Sequence, residues 1–409
     1  MVSSEKILAA AEKTAKWFLV NQPQSRLNAN RGRFLTQHDA AVADPEELPY
    51  STSWDTGCSL CGLLALWKRT GKKEYLEAAE KGGHYIMSLQ VLDSREKQFF
   101  GAFREVTPQS MEFCPRDATS AAWALIYLAE ATGDKEYLYR ARIFGDWMLE
   151  YGMFEGWPRW AVLMDGQDHF YAKGSFQSGV AAFFHDLFMA TRELRYIERG
   201  MRPIAQQYRD EFFHEDDSVV LGKEIFTNQQ REYQIAGKDK SIEFEMHYYN
   251  DDFGNISLMR AAELFGEESY RERAYKWAKF LMAHQDKDGN FAKGTIPSAV
   301  PQALIYYHDL GEYYQDKEML AARDFTLQKL LDMQFDAPDD KRLDGAFPHE
   351  GLGRKGHSDK FCGLRCTMYA LNALLHVESD IPEVWLGRAN KKFEDPLWTI
   401  SQKPYVFKW

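Results

Sequence analysis

Read for the period of its apolar positions, the chain resolves into twelve helical stretches of two kinds. Residues 5–21, 73–90, 134–151, 193–212, 267–284 and 316–334 are amphipathic, with Lys, Glu and Arg on one face. Residues 56–69, 117–132, 175–191, 252–265, 297–310 and 361–377 are apolar or small nearly all round. The two kinds alternate strictly. A helix with one greasy face lies on a surface, and one greasy all round is enclosed. Six enclosed helices alternating with six surface helices predict an all-α toroid, an (α/α)6 barrel with an inner and an outer ring. Gly57, Gly62, Ala121, Ala122, Gly179, Ala181 and Ala182 would let the inner helices crowd one axis. Helix 5–21 is expected beside helix 361–377, closing the ring.

A recurring text marks the units: GKKEYLEAAE from Gly71, GDKEYLYRAR from Gly133, RELRYIERG from Arg192, GEESYRERAY from Gly266 and QDKEMLAARD from Gln315. The aligned positions are Tyr75, Tyr137, Tyr196, Tyr270 and Met319. A unit of ~60 residues is longer than most solenoid repeats and suits two helices plus a long loop. Links from outer to inner helices, such as 21–55, 91–116, 152–174 and 213–251, are long and rich in Gly, Pro, Trp and His. Links in the other direction are tight turns. All long loops must then emerge at one end of the barrel, where a functional site belongs. No linker splits the chain, and residues 1–409 read as a single domain.

Composition adds little except rings and charge. Aromatic residues make up 14% of the chain, enough to line a cleft, and the net charge is −11. An acidic chain without a basic run excludes nucleic acid and anionic membrane as expected partners. Apolar runs fall short of the ~20 residues that span a bilayer. Glu5, Lys6, Glu12 and Lys13 interrupt the first stretch, so it does not read as a signal peptide. Five cysteines make no disulfide framework, and the chain reads as cytosolic.

The chemistry gathers where long loops meet inner helices. Ser53-Trp54-Asp55, Pro115-Arg116-Asp117, Asn250-Asp251-Asp252 and His357-Ser358-Asp359 all place Asp at a helix start. Any one could be an N-cap. Four on one rim, with Trp54, Arg116, His247, Tyr248 and Tyr249, suggest paired-acid chemistry on a sugar, one acid protonated and one ionised. Asp251 and Asp252 would stand about 100° apart on a helix, one capping and the other facing the cleft, with Asp252 taken as the cleft residue and the reverse assignment left open. Gln90, Gln285 and Gln334 precede Gly101-Ala-Phe103, Gly289-Asn-Phe291 and Gly345-Ala-Phe347, a structural hairpin end. Phe347-Pro348-His349-Glu350 is the exception, with the ingredients of a sugar-stacking and hydrogen-bonding loop. Trp157 and Trp160 could stack on pyranose faces, or seal the barrel end. Arg365, inside an apolar helix, must pair with a rim Asp or meet an anionic substrate. Cys58, Cys61, Cys362 and Cys366 could approach if the ring closes, but reduced buried thiols are the simpler reading than zinc. No Walker loop, Rossmann glycine pattern, His-Glu-x-x-His or Gly-x-Ser-x-Gly occurs.

With Trp54-Asp55, Arg116-Asp117, Asn250-Asp251-Asp252 and the Gln-to-Gly-x-Phe ends in view, the chain resembles the six-hairpin glycosidase superfamily. Within it, the chain looks most like the unsaturated glucuronyl hydrolases and the related uronate-acting β-glucuronidases. The resemblance implies a glycoside hydrolase acting at the non-reducing end of a uronic-acid-containing oligosaccharide. It implies Asp117 as the proton-transferring acid with Asp55 as companion. Asp252 is the alternative acid and His247 a possible shuttle. Arg116 and Arg365 would hold the uronate, with Trp54, Trp157, Trp160, Tyr248 and His349 as further substrate contacts. No metal or organic cofactor is required. A polysaccharide lyase, a sugar epimerase and a non-catalytic carbohydrate-binding toroid are the alternatives.

Overall fold

The computed structural model describes residues 2–41, 50–164, 172–224, 248–291, 297–350 and 358–378. Twelve α-helices lie among them, in the predicted alternation. The outer set is α1 (Ser4–Asn21), α3 (Lys73–Ser88), α5 (Lys135–Trp147), α7 (Arg202–Glu211), α9 (Glu268–His284) and α11 (Lys317–Met333). The inner set is α2 (Ser53–Thr70), α4 (Pro115–Thr132), α6 (Val180–Thr191), α8 (Gly254–Phe265), α10 (Ala299–Tyr314) and α12 (Leu364–Glu378). The chain is an (α/α)6 barrel. Among the described residues, strands are confined to short two-stranded ribbons on the loops.

Three devices repeat around the ring. Inner helices α2, α4, α6, α8 and α10 end on left-handed residues, Gly71, Gly133, Arg192, Gly266 and Gln315, whose amides return to the last turn. This produces the tight inner-to-outer turns. The aligned Tyr75, Tyr137, Tyr196, Tyr270 and Met319 then plunge into the core. Tyr137 and Tyr196 nest against Gly83 and Gly145 of the preceding outer helix, where no side chain would fit.

The third device is a glutamine latch. At the end of α3, the Gln90 carboxamide donates to Gly101 O (2.9 Å) in its own hairpin and to Arg140 O (3.0 Å) on α5. Gln334 likewise donates to Gly345 O (3.3 Å) and to Ala10 O (2.9 Å) on α1. Gln22 repeats this with Gly32 O (3.1 Å) and Ala78 O (3.0 Å) on α3, although no Gly-x-Phe text announces it. The contact between Gln334 and α1 is last to first, and it closes the outer ring. The inner ring closes where α12 packs on α2. There Asn372 Nδ2 donates to Cys58 O at 3.1 Å. Residues 37–39 also pair antiparallel with 361–363.

Two sequence expectations need correction. The sixth inner helix starts at Leu364, after a strand at Phe361–Gly363, rather than at Phe361. Asp359 therefore lies on an exposed turn and caps nothing. The fourth starts at Gly254, so Asp251 and Asp252 precede it and do not share a helical face. Two of the thiols have partners other than a thiol: Cys362 Sγ points at Arg342 O (3.4 Å) and Cys366 Sγ at Glu350 (3.6 Å). All five cysteines are free.

Candidate active site

The long loops bring the N-termini of the inner helices to one end of the barrel, and the turn before α8 forms the floor. Asp252 and Phe253 both take left-handed backbone, with φ of 46° and 76°. Two consecutive non-glycine residues in that region are costly and are held only where packing overdetermines them. The packing is visible. Phe253 crosses the axis, stacked on Trp54 of α2 (6.0 Å between centroids). Its edge contacts reach Trp123 of α4 (6.4 Å) and Tyr369 of α12 (5.3 Å). Gly179, in a 3-10 turn leading into α6, lets the strained turn come close, because a Cβ there would collide with the Asp252 carbonyl.

The division of labour between the adjacent acids is now explicit. Asp251 caps: it accepts from Asn255 N (2.7 Å), Tyr208 Oη (3.0 Å) and Tyr306 Oη (2.6 Å). Asp252, wholly buried, turns toward the axis and accepts from Tyr369 Oη at 2.7 Å and from Arg365 Nη2 at 2.9 and 3.0 Å. Arg116 Nη2 donates to it as well. Arg116 also reaches Asp117 at 2.6 Å and lies flat on Trp54, its Cζ 3.6 Å from a ring centroid. Burial works against the Arg116 charge, but Asp252 and Asp117 more than restore it, raising its pKa. Asp252 is thus the hub that sets both arginines, and Trp54 is a platform for Arg116.

Above this layer stand the acids. Asp117, in the first turn of α4, keeps a side chain 30% exposed. Asp55, in the first turn of α2, is pushed up to about 6 by burial, with Asp117 adding and Arg365 and Arg116 opposing. Glu105, from the loop between α3 and α4, was not anticipated. Its carboxyl is raised well above the usual range by burial and by Asp117 and Asp55. One ligand atom each of Glu105, Cys114 and Asp117 lies within 4.8 Å of the others. Glu350, next to His349, is pushed up to about 7 by burial, against hydrogen bonding from Ser298 and the charge of Arg365. Only the context of Glu105, ten residues before the Cys114-Pro115 helix start, could have hinted at it, and that is no signal.

The remaining expected residues divide. Arg365 is on the site and its side chain is 22% exposed. Trp160 is partly exposed and meets Phe176 edge-on at 4.8 Å; Phe176 in turn faces Arg116. Tyr248 is partly exposed, and His349 stacks on Phe361 at 4.3 Å. Trp157 is corrected: it is 1% exposed and stacks on Phe212 at 4.5 Å, so it offers no face to a sugar. His247 lies outside the described residues.

No protein-family model matches the sequence, and no curated protein matches it. Solved structures do, over nearly the whole chain. The unsaturated glucuronyl hydrolase from Bacillus sp. GL1, responsible for glycosaminoglycan degradation, superposes with a TM-score of 0.69 at 14% identity, covering 93% of this chain and 98% of that one. The chain has the six-hairpin glycosidase fold. The same barrel occurs in a family 76 glycoside hydrolase (mannosidase) from Bacteroides thetaiotaomicron VPI-5482 (TM-score 0.64, 13% identity, 94% and 100% covered). It occurs too in the cellobiose 2-epimerase from Spirochaeta thermophila DSM 6192 (0.62, 15%, 91% and 96%). At such identities the likeness is one of fold, and the six-hairpin barrel by itself admits hydrolases and epimerases alike.

Proposed function

We propose that the protein is a carbohydrate-active enzyme, a glycoside hydrolase acting on the non-reducing end of uronic-acid-containing oligosaccharides. The observation that carries this reading is the contrast between neighbouring acids. Asp117 is partly exposed and bridged to a guanidinium, whereas burial pushes Asp55 up to about 6 and Glu105 well above the usual carboxylate range. Pairs of acids whose environments push their proton affinities apart are what general acid–base catalysis on a sugar requires. Asp55 is the proton-bearing partner, Asp117 the acid that faces water and substrate, and Glu105 supports the pair. The uronate is met by Arg365, because Arg116 is enclosed by Asp117, Asp252 and Trp54.

The test is a panel of 4-nitrophenyl glycosides beside unsaturated uronic-acid disaccharides, with released sugar and epimerised product both measured. Hydrolysis of the uronic-acid substrates, reduced ~10²-fold or more in Asp117→Asn, is the expected result. Product with an inverted carbon and an intact glycosidic bond would replace this reading with an epimerase. Binding without turnover, unchanged in Asp117→Asn, would make the toroid a carbohydrate-binding module.

A further inference from the structure

At the other end of the barrel the inner helices carry a polar cluster that the sugar site does not use. His308 and Asp309 lie in the second half of α10, and His376 near the end of α12. At ~1.5 Å rise per residue, eleven residues of α12 put His376 about 16 Å from Arg365, so the cluster touches no substrate. One ligand atom from each of the three lies within 4.8 Å of the other two. His376 Nε2 and Asp309 Oδ1 are 2.6 Å apart, and the two imidazoles meet edge to face at 5.5 Å.

We propose that His308, Asp309 and His376 bind a divalent first-row transition metal of the zinc class, clamping α10 to α12 at the closed end of the barrel. Two imidazoles and one carboxylate are the donor set such ions take, each donor at about 2.0–2.2 Å. Donors on one tetrahedral ion stand about 3.4 Å apart by that geometry, within reach of the observed spread after small rotamer changes.

A second, independent observation points the same way. Asp309 Oδ2, His376 Nδ1 and His308 Nδ1 are all buried without a hydrogen-bond partner. The Asp309 and His376 side chains are each only 4% exposed. Buried polar atoms normally have partners, and an ion at this cluster is one partner that Asp309 Oδ2 and His308 Nδ1 would take. Glu263 of α8 interacts electrostatically with Asp309, and also with Arg271 and Arg260. Glu312, Arg323 and His376 face His308.

The experiment is calorimetric titration of the full-length, tag-free protein with Zn²⁺, followed by Co²⁺ substitution. The expected result is one equivalent bound with a Kd of about a micromolar or tighter, weakened at least ~10-fold in His308→Ala and in His376→Ala, the scale of a lost ligand. His84→Ala, an exposed histidine on α3, should bind like the parent. Zn²⁺ at a hundred times Kd should raise Tm by about 3 °C. Should either variant fail to fold, the parent's Co²⁺ d–d spectrum decides: visible bands of a four- or five-coordinate nitrogen and oxygen site support the proposal. No stoichiometric binding, or equal binding in folded His308→Ala and His376→Ala, overturns it.

Discussion

At the scale of single residues, the site is governed by which charges are already spoken for. Asp55 has its proton affinity raised to about 6, so as a required acid it is competent below that pH and incompetent above it. The alkaline limb of kcat/KM against pH should fall with an apparent pKa near 6, and Asp55→Asn should abolish the limb together with most of the activity. Glu350 shows the same physics as stability. Its folded-state pKa of about 7 lies above the ordinary 4.5, so the folded protein holds an extra proton between those values. Stability is therefore lost as pH rises across that window. Glu350→Gln should match the parent at pH 4 and exceed it by about 1–3 kcal/mol at pH 8, read from urea unfolding. The arginines should separate as well. Arg365→Ala should raise KM for uronate substrates far more than for neutral glycosides, since a charge-assisted contact is lost. Arg116→Ala should damage both classes equally, because it leaves Asp252 buried beside a single guanidinium.

At the scale of elements, the sequence was most legible where one rule repeats. The alternation of greasy and amphipathic helices follows from burial alone, and it located all twelve helices, most of them to within a few residues, with α7 starting at Arg202 after a wider π turn over Tyr196–Met201. What it could not locate were the breaks. Asp252 and Phe253 read as helix by period, but packing around Phe253 bends them into left-handed backbone before α8 begins. Phe361–Gly363 read as helix and is drawn into a strand by residues 37–39, more than three hundred positions away. Asp55, Asp117 and Asp252 were legible because helix starts bring them together. Glu105 was not, because a loop's path decides its burial and no local pattern records it; Glu350 was legible only as a member of the Phe347-Pro348-His349-Glu350 loop, and its burial was not. Trp157 misled for the converse reason: a Gly- and Pro-flanked tryptophan reads as exposed until Phe212 is known to cover it. The repeated caps give their own test. Arg192 and Gln315 occupy left-handed positions that glycine fills after α2, α4 and α8. Gln315→Gly should therefore stabilise the protein by about 0.5–1 kcal/mol, measured as a shift in the chemical-denaturation midpoint.

At the scale of the whole molecule, the barrel is held shut by a few contacts between its first and last hairpins. The Gln334 carboxamide reaches Ala10 O and Thr14 Oγ1, and Gly345 sits against the Lys13 carbonyl with φ of 86°, where a Cβ would collide. Gly345→Ala should cost about 1–3 kcal/mol from the strained φ and the displaced neighbour, measured by thermal unfolding. Gln90→Ala, at an equivalent latch between neighbouring hairpins, offers the comparison that separates latching from closure.

Closure of this kind also has a cost in time. The apolar flanks of α1 and α2 find their last partner, α12, only after some three hundred further residues have been made. A nascent chain leaving the ribosome at about 5–20 residues per second therefore carries an unfinished, sticky edge for tens of seconds. Contacts between such distant partners slow folding. Yield in the cell should accordingly respond to chaperone supply and translation speed more than the finished ring's stability would suggest.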